Sequence, residues 1–238
     1  MTKELIALAE RPLRVLFVGF QDQDNLGLRY LMATARAAGH EVGIETFSSD
    51  PTRLVERAQA ERPDVIGLSL IFQYMTRRFA AVVAALRDAG VEAHITLGGH
   101  YPSFDPEAVL VAIPGANSVV RFEGEATLLD LLDRLGRGVE WRDTPGLAAR
   151  AQDGGVMRSP LRRQVMDLDT LPWPMRDDIP YEASERPTAA VLGSRGCPGN
   201  AIFAQSDRST RPRRGRYAVC APRATSWRRC ATCSTTAA

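Results

Sequence analysis

Lysine is almost missing from this chain. Lys3 stands alone against 29 Arg in 238 residues. Such use of Arg for Lys points to a GC-rich gene. Long apolar runs are missing too, and none approaches the ~18 residues that would span a bilayer. The opening "MTKELIALAERPLR" has no apolar core and no small-residue cleavage site, which excludes a secretory signal and makes a cytoplasmic location the expectation. Histidine is limited to His40, His94 and His100. Cysteine is thin and badly placed: Cys197 stands alone in the first 204 residues, and Cys220, Cys230 and Cys233 fall in the last 34. Cys230-Ala231-Thr232-Cys233 is a lone Cys-x-x-Cys, and Cys220 is too isolated to complete a zinc site.

An ordinary globular composition remains, with 45% hydrophobic residues, but it is unevenly spread. Residues 205–238 carry eight Arg and one Asp, a net charge of +7, so the preceding 204 residues carry −5 of the overall +2. The body reads as strand and helix in alternation. "RVLFVGF" at 14–20 is a buried strand, and "NLGLRYLMATARAAGH" a helix stopped at Gly39. "EVGIETFS", "PDVIGLSLIF", "EAHITLGGH" and "SVVRF" are further strands. Helices follow from Asp50-Pro51 to about Arg62, over "MTRRFAAVVAALRDAG" to Gly90, over "DPEAVLVAI" and over "GEATLLDLLDRLGRG". This pattern predicts an α/β, doubly wound (Rossmann/flavodoxin-like) five-stranded parallel sheet across residues 13–138.

Open parallel sheets bind ligands beyond the carboxyl ends of their strands. Those ends carry "QDQDNLG", "SLIFQY", "GGHYPS" and "RFEGEAT". Gly98-Gly99 allows a large flat ligand to approach the backbone, and Ser69 offers a hydrogen-bond donor. A tight turn and a polar strand end would use the same residues, and spacing alone leaves both readings open.

Taken in order, these segments resemble a known family. "NLGLRYLMATARAAGHEV", "PDVIGLSLIF", "LGGHYPS" and "VVRFEGEATLLDLL" are similar to the cobalamin-binding domain that precedes the barrel in cobalamin-dependent radical SAM enzymes. The bridge "TPGLAARAQDGGVMRSPLRRQVMDLDTLPWPMRD" continues the match as a small hairpin turning at Asp153-Gly154-Gly155 and a Pro-rich link, and "SRGCPGN" resembles the barrel's opening. The resemblance implies five stretches: a leader at 1–12, the cobalamin domain at 13–138, the hairpin and linker at 139–186, an incomplete barrel start at 187–204 and a tail at 205–238. It also implies cofactor-binding roles for Gln21, Asp22, Asp24, Asn25 and Gly27; for Ser69, Leu70, Ile71 and Phe72; for Gly98, Gly99, His100 and Tyr101; and for Glu123, Gly124 and Glu125. Within cobalamin-binding folds the first loop can hold Asp-x-His-x-x-Gly, whose His ligates cobalt. Here Asp24 stands in the His position, which implies cobalamin held without a protein His ligand. His100 reads as a polar loop residue.

The family's [4Fe–4S] cluster needs three Cys, which bind iron as soft thiolates. Cys197 is the sole remaining ligand, with Ala201 and Ala204 at the other two positions. A TGC codon read one base late always becomes Ala. One lost base just before position 201 therefore converts both Cys together, and restoring it lets the tail be read as text ending "DVVAEMRHLLDD", which has helical apolar spacing. The expectation is a frameshifted, truncated member of the family, the parent being a radical methyltransferase or cyclase. Cobalamin should be its cofactor; the cluster and S-adenosylmethionine belong to the parent and are not expected here, and catalysis is not expected either. The out-of-frame tail is expected to be disordered and its Arg-rich "RSTRPRRGR" to be unselected, so nucleic acid and membrane are not expected partners. Two other functions remain: a stand-alone cobalamin-binding or sensor module, and a flavodoxin-like body with a nucleic-acid-binding tail.

Overall fold

The computed structural model describes residues 9–21, 25–151, 153–165, 167–176, 192–195 and 219–220. Five parallel strands form first: β1 (Arg14–Gly19), β2 (Glu41–Thr46), β3 (Val65–Ser69), β4 (His94–Gly98) and β5 (Ser118–Val120). Helices α1 (Leu26–Ala37), α2 (Thr52–Glu61) and α3 (Thr76–Asp88) alternate with them. Two short helices, α4 (His100–Phe104) and α5 (Pro106–Ala112), join β4 to β5, and α6 (Glu125–Arg137) follows. The strand order is β2-β1-β3-β4-β5, the doubly wound arrangement.

The sheet does not end at β5. Strands β6 (Leu147–Arg150) and β7 (Val156–Arg158) form a hairpin that adds to its edge, antiparallel, with Val119 opposite Ala148 and Ala149 opposite Met157. The parallel part has the five strands expected, and the hairpin continues the same sheet. Leu147, Ala148 and Ala149 are wholly buried, so the hairpin covers an edge that would otherwise present unpaired backbone groups.

Period-two alternation sorts the core onto two faces. Leu16, Val18, Ile66, Leu68, Ile95 and Leu97 point toward α2, α3 and α5, where Phe79, Val82, Val83 and Leu86 meet them. Val15, Phe17 and Val65 point the other way, toward Leu28, Met32, Leu128 and Leu132 of α1 and α6. Asn25 caps α1: its Oδ1 accepts from Leu28 N at 3.3 Å, and its Nδ2 donates to the Phe20 carbonyl at 3.3 Å. This cap ties the start of α1 to the end of β1, and Asp105 caps α5 in the same way. Beyond the domain, β8 (Ser194–Arg195) pairs antiparallel with β9 (Val219–Cys220). No helix among the described residues is long and apolar enough to cross a membrane.

Candidate functional site

The direction in which strands are added reverses at β1 and β3, because β2 lies on one side of β1 and β3 on the other. At such a switch point the loops leaving the two strands diverge and open a crevice at the carboxyl edge. Gln21 leaves β1 there, and Ser69 and Leu70 end β3. Gln21 Oε1 accepts from Arg29 at 3.1 Å, while its Nε2 is buried with no hydrogen-bond partner among the described residues. Ser69 is 9% exposed, and its hydroxyl makes no hydrogen bond among the described residues.

The β4 loop is built differently from a plain turn. Gly99 has φ +110 and ψ −174, and a Cβ there would lie 2.6 Å from the Leu70 carbonyl oxygen. Its missing side chain is therefore needed by the chain's own backbone, which brings the ends of β3 and β4 together through Leu70 N to Gly98 O at 2.8 Å. Gly98 differs: a Cβ there would only touch the Val120 carbonyl, at 3.6 Å. His100 is exposed at the start of α4, a helix that stands where the sequence suggested a loop. Ser103 on α4 was missed in the sequence. Its Oγ donates to the Gly99 carbonyl at 2.7 Å and accepts from Phe122 N at 2.8 Å, joining the β4 and β5 loops.

The β5 loop carries Arg121, Phe122 and the Glu123-Gly124-Glu125 run. Phe122 takes φ +60, unusual for an aromatic residue, and its ring meets Phe104 edge-on at 5.8 Å. Phe72, Tyr74 and Phe122 are exposed on this edge, and Phe72 and Tyr74 stack at 5.4 Å. Arg121 is 8% exposed, donates to the Ser159 carbonyl and leaves Nε without a partner among the described residues; burial lowers its pKa. Glu123 and Glu125 are engaged with later parts of the chain. Glu123 accepts from Val165 N at 2.7 Å, and Glu125 pairs with Arg195 at 2.6 Å. Burial pushes the Glu123 carboxyl pKa up, against the Val165 hydrogen bond and the Arg195 charge, with Glu125 adding to the rise.

Two of the three histidines lie far from this edge. His40 accepts from Leu13 N at 3.2 Å, just ahead of β1. His94 opens β4, 2.9 Å from Ser118 Oγ and edge-on to Trp141. Burial, followed by the charges of Arg87 and Arg142, lowers its pKa to about 3, so it is neutral. Only His100 stands at the carboxyl ends. Asp22, Asp24, Cys197, Ala201 and Ala204 lie outside the described residues. Among the described residues no group of three or more His, Cys, Asp or Glu could hold a metal ion. An open groove at the opposite end of the sheet contains Arg87 and Arg150, but both guanidiniums are used on backbone carbonyls.

Fold and edge together define a doubly wound ligand-binding domain with a part-polar, part-aromatic rim at its switch point. Comparison with known proteins gives the class its identity: residues 15–132 match the B12 binding domain, and this part of the chain belongs to that family. An uncharacterized methyltransferase of Pyrococcus horikoshii is 30% identical over 190 residues, covering 76% of this chain and 40% of that protein. The cobalamin-dependent S-adenosylmethionine radical enzyme OxsB, solved with aqua-cobalamin and S-adenosylmethionine bound, aligns at a TM-score of 0.58 and 21% identity, covering 68% of this chain and 24% of that one. The radical S-adenosylmethionine methyltransferase TsrM from Kitasatospora setae, solved with cobalamin and a [4Fe-4S] cluster bound, aligns at 0.56 and 19% identity, covering 69% and 31%. The chain thus spans two fifths or less of the length of these proteins.

The rim fits cobalamin by its donor set. The cofactor carries amides and a phosphate around a large apolar-faced ring. The rim offers a buried amide N–H at Gln21 with no partner among the described residues, a hydroxyl at Ser69 and exposed aromatic faces at Phe72, Tyr74 and Phe122. Gly19 has no room for a Cβ, since Leu28 Cδ1 would lie 2.5 Å from it, so α1 seats directly on the end of β1.

Proposed function

We propose that this carboxyl edge holds cobalamin through Gln21, Ser69 and the backbone at Gly98, with Phe72, Tyr74 and Phe122 keeping water off the ring. The buried Gln21 amide carries the proposal: an unpaired N–H costs about 1–3 kcal/mol unless something accepts from it. The first loop has Asp24 where a His ligand would stand, and two of the chain's three His sit at the amino ends, so the cobalt receives no imidazole from that loop. When bound, cobalamin supplies a cobalt centre that carries and transfers a methyl group. The chain's own residues bind and orient it. They do not complete the radical chemistry of the parent methyltransferase or cyclase, because Ala201 and Ala204 cannot ligate iron. The text after position 200 is read as out of frame.

Purified chain mixed with hydroxocobalamin should retain a corrin absorption band through gel filtration, and Gly98→Trp should lose it. If wild type retains none, the cobalamin reading fails; if both retain it equally, the placement on this edge fails. Asp24→Ala should change affinity only modestly. Electron paramagnetic resonance of the cobalt(II) form should show no nitrogen splitting from a protein imidazole.

A further inference from the structure

The Glu123-Gly124-Glu125 run faces two ways at once. Glu123 holds the extended segment after β7 through Val165 N, and Glu125, at the first turn of α6, holds Arg195 across 70 residues of sequence. Gly124 lets α6 seat between them: a Cβ there would lie 3.1 Å from Leu31 and 3.2 Å from Val120. The Arg195–Glu125 pair is well shielded, with side chains 15% and 6% exposed at 2.6 Å. The guanidinium also lies 5.3 Å from the centroid of Tyr30, a fully buried ring of α1. One arginine thus grips the starts of α1 and α6, both at the carboxyl edge.

We infer that Arg195 and Glu125 form a positioning clasp that fixes residues 192–195 against the carboxyl edge. In the sequence, Cys197 follows Arg195 by two residues. Arginine suits this position, because its planar fork pairs with a carboxylate while its face lies on an aromatic ring; lysine cannot do both. Glutamate suits the other side, because a carboxylate at a helix N-terminus is favoured by the helix dipole. The residues act through placement and touch no reacting atom. The inference rests on the cobalamin reading for its purpose alone.

The test places nitroxides on Gly193→Cys, where an added Cβ meets nothing within 4 Å, and on Val111→Cys, an exposed reference on α5, in the full chain with Cys197, Cys220, Cys230 and Cys233 changed to Ser. Pulsed electron paramagnetic resonance should give a narrow distance distribution. In Arg195→Ala and in Glu125→Gln it should broaden about twofold as the segment gains linker freedom, and the double variant should be no broader than either single one. Arg195→Lys, which keeps the charge without the fork, should fall between and guards against simple misfolding, checked by circular dichroism. An unchanged width in Arg195→Ala, or a wild type already as broad, overturns the clasp. In a second arm, cobalt(II)-cobalamin should relax the nitroxide on Gly193→Cys strongly when Arg195 is intact and weakly in Arg195→Ala. Equal relaxation with equal cofactor retention overturns the positioning role. Failure of wild type to retain cofactor overturns the cobalamin reading and leaves the first arm to decide the clasp.

Discussion

A single methyl group added at Gly99 meets two obstacles together. The backbone there, at φ +110 and ψ −174, lies in a region essentially reserved for glycine, and forcing alanine into it costs about 1–3 kcal/mol. The new Cβ would also stand 2.6 Å from the Leu70 carbonyl oxygen and 3.0 Å from its carbon, both backbone atoms. Leu70 cannot withdraw freely, because its N–H is bonded to Gly98 O at 2.8 Å; giving up that bond costs roughly another 1 kcal/mol. Gly99→Ala should therefore destabilise the domain by about 3 kcal/mol, roughly a 10 °C drop in Tm. Gly138→Ala is the control: φ is +65 and nothing lies within 4 Å of the added Cβ, so only the left-handed conformation is penalised, by about 1 kcal/mol. Urea unfolding of the two variants, followed by circular dichroism, measures the gap. Equal losses would refute the argument from the Leu70 carbonyl. A Gly99→Ala protein as stable as the control that nonetheless loses cobalamin would assign the missing Cβ to the ligand instead.

Other outcomes follow from the same structure. Gln21→Met removes the amide and should weaken cobalamin binding by about fivefold, roughly 1 kcal/mol, in a spectrophotometric titration, and urea melts of the same variant measure the separate cost of losing the Oε1 acceptor of Arg29. His94 is held neutral, so protons bind it more readily in the unfolded chain; its contribution to stability is complete above about pH 6.5 and is lost as pH falls from there toward 3. His94→Gln should flatten the stability profile in that window, and an unchanged slope in urea melts would contradict the burial argument. Anaerobic reconstitution with iron and sulfide should give no stable [4Fe–4S] absorption, and a chain ending after Ala204 should retain cobalamin undiminished. Restoring one base in the Asn200 codon should return Cys at both motif positions and cluster binding with it; cluster formation by the present chain would oppose the frameshift proposal.

Much of the domain was readable because its signals are local. The run Val15–Val18 and the Gly39 stop each lie within a few residues of the element they define, whereas Asn25, expected among the cofactor-binding residues, has its side chain engaged in capping α1. The hairpin's place in the sheet was hidden, because "LAAR" is short and its pairing partner, β5, is about 30 residues away. Helix α4 was masked by Gly99 and Pro102, which read as turn residues. At the rim, Ser69 and Gly98 could be chosen from strand ends alone, whereas Ser103, Arg29 and Arg195 matter only through distant partners. Phe122 gave no warning of its positive φ, since bulky aromatics normally avoid that region. The Glu123-Gly124-Glu125 run was noticed for its place at a strand end, but two of its three side-chain positions serve contacts to later segments of the chain.

The outer strand β2 has one further consequence. Glu41 and Phe47 bond back to β1, so the intervening even-numbered residues turn their peptide groups outward along the sheet's free border. Arg57, reaching over from α2, donates to the Ile44 carbonyl at 2.6 Å and is itself held at 2.9 Å by the buried Glu45, with Arg53 pairing to the same carboxylate. A guanidinium thus occupies the middle of the border where an eighth strand, from this chain or another, would have to dock. The hairpin extends one side of the sheet by adding backbone, whereas this arginine sets a charge along the other border, a placement that disfavours strand-to-strand pairing.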